Sequence, residues 1–152
     1  MTIGYERWHG SMAEAAAPLL ALCRSVFPEF NDGYLLDRLP GLRDPDLWLA
    51  VQGGEWRGFK LGYRRGAHLF YSWLGGVDPA LRGQGVASQL MQLQHAHAAA
   101  SGYRSVETRT RAANNAMIVL NLRHGFHVAG FENDSSGIPV VIQRKTLIAG
   151  GP

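Results

Sequence analysis

The chain has a single cysteine, Cys23, so it can form neither an internal disulfide nor a cysteine cluster for a metal. Cys23 falls within the apolar periodicity of LLALCRSVF and is expected to be a buried structural thiol. No apolar run approaches the roughly 20 residues that a membrane-spanning helix needs, and a membrane is therefore not expected as a partner. The opening MTIGYERWHG lacks the basic start and apolar stretch of a secretory signal, which makes the cytoplasm the expected location. Charge is also sparse. Charged residues make up 18% of the chain and the net charge is only +3, with the arginines scattered instead of forming a block. That balance suits an anionic ligand but gives no footprint for nucleic acid. Internal repeats, low-complexity linkers and HExxH are missing, and His68, His95, His97, His124 and His127 have no ligand spacing, so no metal site is expected.

What remains is an ordinary globular composition, 46% hydrophobic over 152 residues, which predicts one domain spanning 1–152. SMAEAAAPLLALCRSVF (11–27) reads as a helix with Ser11 and Glu14 spaced as a capping box, and Pro18 as a candidate kink. NDGYLLDRLPGL predicts a second short helix ended by Pro40 and Gly41. LWLAVQ, WRGFKLGYRR and HLFYSWLGGV read as three consecutive strands, the first two joined by a Gly53-Gly54 turn. A helix over 84–101 follows, with Val86, Leu90, Leu93 and His97 on one stripe beside Ala87, Met91 and Gln94. YRSVETRT is the next strand, NNAMIVLNLRHG a further helix, and FHVAGFEND and IPVVIQRKTL are two closing strands. A short first strand is expected near Ile3 to Trp8. The order predicts an α/β fold with a mixed, largely antiparallel sheet.

At the centre of that order lies LRGQGVASQL (81–90), a glycine-rich turn between a strand and a helix. Glycines there let the backbone approach a ligand, and the N–H groups and dipole of the helix start favour an anion, phosphate above all. Gly83-x-Gly85-x-x-Ser88 nearly meets the dinucleotide fingerprint, with Glu107 about 20 residues on. A dinucleotide fold, however, opens with this unit and continues through several more, whereas here helices and a meander precede it and little chain follows. A P-loop is excluded because no Gly-Lys-Ser/Thr occurs.

GGVDPALRGQGVAS resembles the signature of the GNAT superfamily of acyl-CoA-dependent N-acetyltransferases, Arg/Gln-x-x-Gly-x-Gly/Ala, met here by Arg82, Gly85 and Ala87 after Val77-Asp78-Pro79. A second stretch, Asn114-x-x-Met117-x-x-Leu120-Asn121-x-x-x-Gly125-Phe126, is similar to the family's later helix and following Gly-Phe. The likeness is best over about 47 to 145. It implies helices on both faces of the sheet and a V-shaped splay between two parallel central strands, 71–77 and 104–110. It implies acetyl-CoA as co-substrate, held by Val77, by Arg82, Gly83, Gln84, Gly85, Val86, Ala87 and Ser88 around the pyrophosphate, and by Asn114 and Asn121. The glycines Gly75 and Gly76 fit a close approach of the pantetheine arm, although a simple bulge or bend explains them as well.

Acetyl transfer to an amine requires a proton acceptor, donors for the oxyanion and an exit for the thiolate. By the same resemblance, a backbone N–H near Gly75 is the oxyanion donor, and Tyr71 or Ser72 stands where many members carry a base or a water-holding residue. A tyrosine with a pKa near 10 is a poor base at neutral pH, and Tyr71 reads equally as core or acceptor wall. At Asn121 the family often has a tyrosine that protonates the leaving thiolate; an amide can only hydrogen-bond the sulfur or the coenzyme. Asn114, directly before a helix, suits an N-cap as well as a ligand. Direct attack without a covalent enzyme intermediate is expected, because Cys23 lies outside the motifs. The acceptor is an amine of a small molecule or peptide, and the resemblance implies a homodimer through the last strands. A coenzyme-A-binding sensor or a catalytically inactive scaffold is the alternative, motivated by Asn121 and the missing glutamate.

Overall fold

A computed structural model describes residues 2–147. Seven strands and four α-helices follow along them: β1 (Gly4–Arg7), α1 (Met12–Val26), α2 (Asp32–Leu36), β2 (Asp46–Gln52), β3 (Glu55–Arg64), β4 (Leu69–Val77), α3 (Val86–Ala100), β5 (Ser105–Arg111), α4 (Asn115–Arg123), β6 (His127–Asn133) and β7 (Pro139–Thr146). Single 3₁₀ turns occupy Leu39–Gly41 and Pro79–Leu81. The strands form one mixed sheet in the order β1-β2-β3-β4-β5-β7-β6. Every element expected from the sequence is present, with the first strand at Gly4–Arg7, except that the second helix ends at Leu36 and the Pro40-Gly41 stop lies in a separate 3₁₀ turn.

The chain divides into two compact units, and the boundary passes through β4 after Trp73 and through α3 after Gln94. The first unit holds residues 1–63 and 74–94. Its strands β1/β2 and β2/β3 pair antiparallel, and the hairpin between β2 and β3 turns on Gly53 and Gly54, both at positive φ (61° and 78°). Helix α1 starts on the predicted capping box: Ser11 Oγ accepts from the Glu14 N–H at 3.0 Å while the Glu14 carboxylate accepts from the Ser11 N–H at 3.3 Å. Pro18 is inside the helix. A Cβ on Gly76 of β4 would collide with Val26 at the end of α1, whereas its neighbour Val77 clusters with Ala50, Leu81, Val86 and Leu90. Adjacent strand residues point to opposite faces, so α1 and α3 cover opposite faces of this part of the sheet.

The second unit holds residues 64–73 and 95–152, of which the structure describes those up to 147. β4 and β5 pair parallel over Leu69–Ser72 and Ser105–Thr108, and that ladder ends there although β5 runs to Arg111. At its end the buried Thr108 hydroxyl donates to the Ser72 carbonyl at 3.0 Å. β5/β7 and β7/β6 pair antiparallel, leaving β6 at the sheet edge. In α3 the buried residues are Val86, Leu90, Met91, Gln94, His95 and Ala98, so the stripe lies nearer His95 than the expected His97, which is half-buried.

Candidate functional site

The glycine-rich turn belongs wholly to the first unit. Val77 ends β4 in the core, and Asp78 then caps the 3₁₀ turn by accepting from the Ala80 N–H at 2.9 Å. Arg57 of β3 reaches the same carboxylate at 3.1 Å. The Ala80 hydrogen bond, then the Arg57 and Arg82 charges, hold the Asp78 carboxyl below its ordinary range, so it is ionised at neutral pH and fixes the end of β4. The Val86 side chain is packed into the core. The main chain between these anchors is therefore set from both sides.

Within that frame Gly83 and Gly85 have φ of 79° and 78°, a left-handed conformation that side chains rarely adopt. A Cβ on either would meet no atom within 4 Å, so the turn faces open space. The N–H of Gln89 closes onto the Gly85 carbonyl at 3.0 Å, and the N–H groups before it at the helix start lie upstream of the helical ladder. Gly83, Gln84 and Gly85 are exposed and Ala87 and Ser88 are half-buried. This arrangement fits a phosphate: positive-φ glycines, the main-chain donors of a helix start and the positive end of a helix of fifteen residues.

Arg82, expected to add charge at the phosphate, is exposed at the turn and also bonds to the main chain. Its Nε donates to the Val77 carbonyl at 3.3 Å and its Nη2 to the Val26 carbonyl at 3.2 Å. The guanidinium thus ties the turn to the ends of β4 and α1. The glycines of β4 also have local explanations. A Cβ on Gly75 would stand 3.1 Å from Lys60 Cδ and 3.2 Å from the Phe59 carbonyl, and Gly76 is demanded by Val26 and Phe27. Packing within the unit accounts for both.

Lys60, absent from the sequence-based candidates, lies on β3 beside Gly75. Burial of its ammonium lowers its pKa from 10.5 to about 8, and no carboxylate or hydrogen bond acts against that shift. WRGFKLGYRR reads simply as an alternating strand, and nothing local signals that this lysine is covered.

Tyr71, Asn114 and Asn121 belong to the second unit. Tyr71 is 7% exposed, with the Arg65 guanidinium 4.0 Å from its ring centroid. Its parallel neighbour Glu107 is buried and binds Arg144 at 2.6 Å, with Arg65 at 3.8 Å. That carboxylate, the acidic residue of the dinucleotide reading, is engaged by two arginines. Asn114 caps α4, its side-chain oxygen accepting from the Met117 N–H at 3.3 Å. Asn121 is 2% exposed; its Nδ2 donates to Gln143 Oε1 at 2.9 Å, while Gln143 Nε2 donates to the Ile118 carbonyl at 3.2 Å. The amide thereby fastens α4 to β7. Cys23 is fully buried, and burial pushes its pKa up to about 12. Among the described residues no group of three or more His, Cys, Asp or Glu could hold a metal ion, and no helix is long and apolar enough to cross a membrane.

Residues 43–128 match the family described as acetyltransferase (GNAT) domain. None of the curated proteins matches the chain in sequence. Among solved structures, the ribosomal-protein-S18-alanine N-acetyltransferase from Escherichia coli is similar with a TM-score of 0.83 at 15% identity, covering 99% of this chain and 97% of that one. NAA60 of Arabidopsis thaliana, solved with a bisubstrate analogue, has a TM-score of 0.75 at 17% identity, with coverage of 98% and 100%. A putative streptothricin acetyltransferase from Bacillus anthracis, solved with acetyl coenzyme A, has a TM-score of 0.64 at 16% identity, with coverage of 69% and 64%.

Proposed function

Because the chain belongs to the GNAT acetyltransferase family, by a match over residues 43–128, we propose that it transfers the acetyl group of acetyl-CoA to a primary amine by direct attack. The observation that carries this reading is the open turn at the start of α3, where Gly83 and Gly85 stand at positive φ with clear space before them. The N–H groups of residues 82–88 hold the pyrophosphate, and Arg82 acts by fixing the turn through the Val77 and Val26 carbonyls. When bound, acetyl-CoA supplies an activated acyl carbon. The Gly75 N–H orients the acyl oxygen and stabilises the charge that develops on it. Tyr71, buried beneath Arg65, serves as a wall, and the acceptor ammonium releases its proton to solvent. Asn114 and Asn121 act on the coenzyme at most through the geometry of α4, whose start and packing they fix.

The acceptor is an amine on a small molecule or a peptide. Structural neighbours titled nourseothricin acetyltransferase and ribosomal-protein-S18-alanine N-acetyltransferase indicate that this fold serves both sizes. A homodimer through the β6 edge fits the exposure of Val128 (57%) and Phe131 (64%) on that strand. The test is release of coenzyme A thiol from acetyl-CoA across a panel of amines and N-terminal peptides. Amine-dependent release supports transfer, whereas tight coenzyme binding with no release for any amine favours the sensor alternative.

A further inference from the structure

Lys60 is one of only two lysines in the chain, beside thirteen arginines, and it occupies a constrained place. Its main-chain carbonyl accepts from Gln94 Nε2 at 3.3 Å, and the same nitrogen donates to the Asp46 carbonyl at 3.1 Å, so α3 clamps β2 and β3 at this level. The side chain then runs over β4. A Cβ built on Gly75 would lie 3.1 Å from Cδ and 3.7 Å from Nζ, which means the missing side chain of Gly75 is what lets the lysine cross. The ammonium consequently rests against the β4 main chain at the residue whose N–H is assigned to the acyl oxygen. A thioester sulfur is one bond from the carbonyl carbon bound there.

We infer that Lys60 is the acid that protonates the sulfur of coenzyme A as it leaves. The inference rests on the acetyl-CoA reading above. As the acceptor nitrogen bonds to the acyl carbon, the carbon–sulfur bond breaks with its electron pair on sulfur; Nζ gives that sulfur a proton, yielding the free thiol. The acceptor ammonium loses one proton to water before it attacks and a second from the same nitrogen as the amide forms, and the neutral lysine recovers one from solvent. With a pKa of about 8, the Lys60 ammonium is mostly charged at neutral pH and nearly matched to a free thiol near 8.5. Asn121 has no acidic proton to offer, and its amide nitrogen is engaged by Gln143.

The electrostatic surroundings of Lys60 within its unit are simple. β2 places Asp46 on the same sheet face, and Arg7 of β1 at 2.6 Å and Trp48 Nε1 at 3.1 Å hold that carboxylate. Residues 86–94 of α3 and 74–77 of β4 contain no ionisable side chain. Lys60 is the charged side chain against which a Cβ on Gly75 would rest.

The test is a pH titration of the protein–coenzyme A complex, following thiolate absorbance in the ultraviolet, with wild type, Lys60→Met and Lys60→Arg. A cation beside the sulfur lowers the thiol pKa, so the wild-type complex is expected to ionise with a Ka about tenfold above that of free coenzyme A. Lys60→Arg keeps the lowered value and Lys60→Met loses it. Binding by all three proteins with identical thiol titrations overturns this inference alone. Failure of wild type to bind coenzyme A overturns the acetyl-CoA reading and this inference with it.

Discussion

Lys60 and Cys23 show how burial assigns chemistry to single residues. A lysine with a folded pKa of about 8 against an unfolded value of 10.5 destabilises the folded state wherever it is charged. Below pH 8 both states are protonated and the burial cost is fully present. As the pH rises from 8 towards 10.5 the unfolded chain binds more protons than the folded one, so stability increases through that window. Lys60→Met is therefore expected to be more stable than wild type by up to about 3 kcal/mol at neutral pH, roughly 2.5 pKa units at about 1.36 kcal/mol each, with the gap closing near pH 10.5. Urea denaturation at several pH values checks this, and a gap independent of pH contradicts it. Cys23, with its pKa pushed up to about 12, is expected to resist alkylation in the native protein and to react once unfolded. Cys23→Ala should retain acetyl transfer, as direct attack requires. The cysteine was legible in the sequence because it falls on the apolar stripe of α1 with Ala15, Leu19, Leu22 and Val26. Lys60 was not, because the neighbours that fix it, Gly75 beside its side chain and Gln94 at its carbonyl, are distant in the chain.

At the scale of elements, the turn between β4 and α3 is the part of the site most clearly written in the sequence, since positive φ at Gly83 and Gly85 leaves glycine as the fitting residue. The role of Arg82 was not readable there: its partners, the carbonyls of Val77 and Val26, are set by how α1 ends against β4. For the same reason Gly76 reads as a ligand-approach glycine in sequence and as a packing glycine in the structure. Gly76→Ala forces its methyl into Val26 and is expected to cost about 2 kcal/mol in chemical denaturation, as overpacking does. A loss below a few tenths of a kcal/mol would show that α1 yields at no cost. The two asparagines divide similarly. Asn114 as an N-cap follows from its position before α4, whereas the bond of Asn121 to Gln143 depends on β7 returning beside β5.

For the whole molecule, the alternation of helical and extended patterns gave the elements and a mixed sheet, the family resemblance implied the parallel β4/β5 pair, and the full strand order is visible only in the structure. Association is a property of this scale. If the β6 edge forms the homodimer, Phe131→Glu should shift the protein to monomer in sedimentation or light scattering while leaving coenzyme binding intact. An unchanged oligomeric state would remove β6 from the interface.

The central claim is that the turn at residues 82–88 holds the coenzyme A pyrophosphate. Calorimetric titration with acetyl-CoA of wild type and Gly85→Val tests it most directly, because a side chain at this positive-φ position both strains the turn and fills the open space before it. The account predicts binding by wild type and at least about a tenfold loss, roughly 1.4 kcal/mol, in a variant that circular dichroism shows to be folded. Equal affinity in the two proteins, or no binding by wild type, would contradict it.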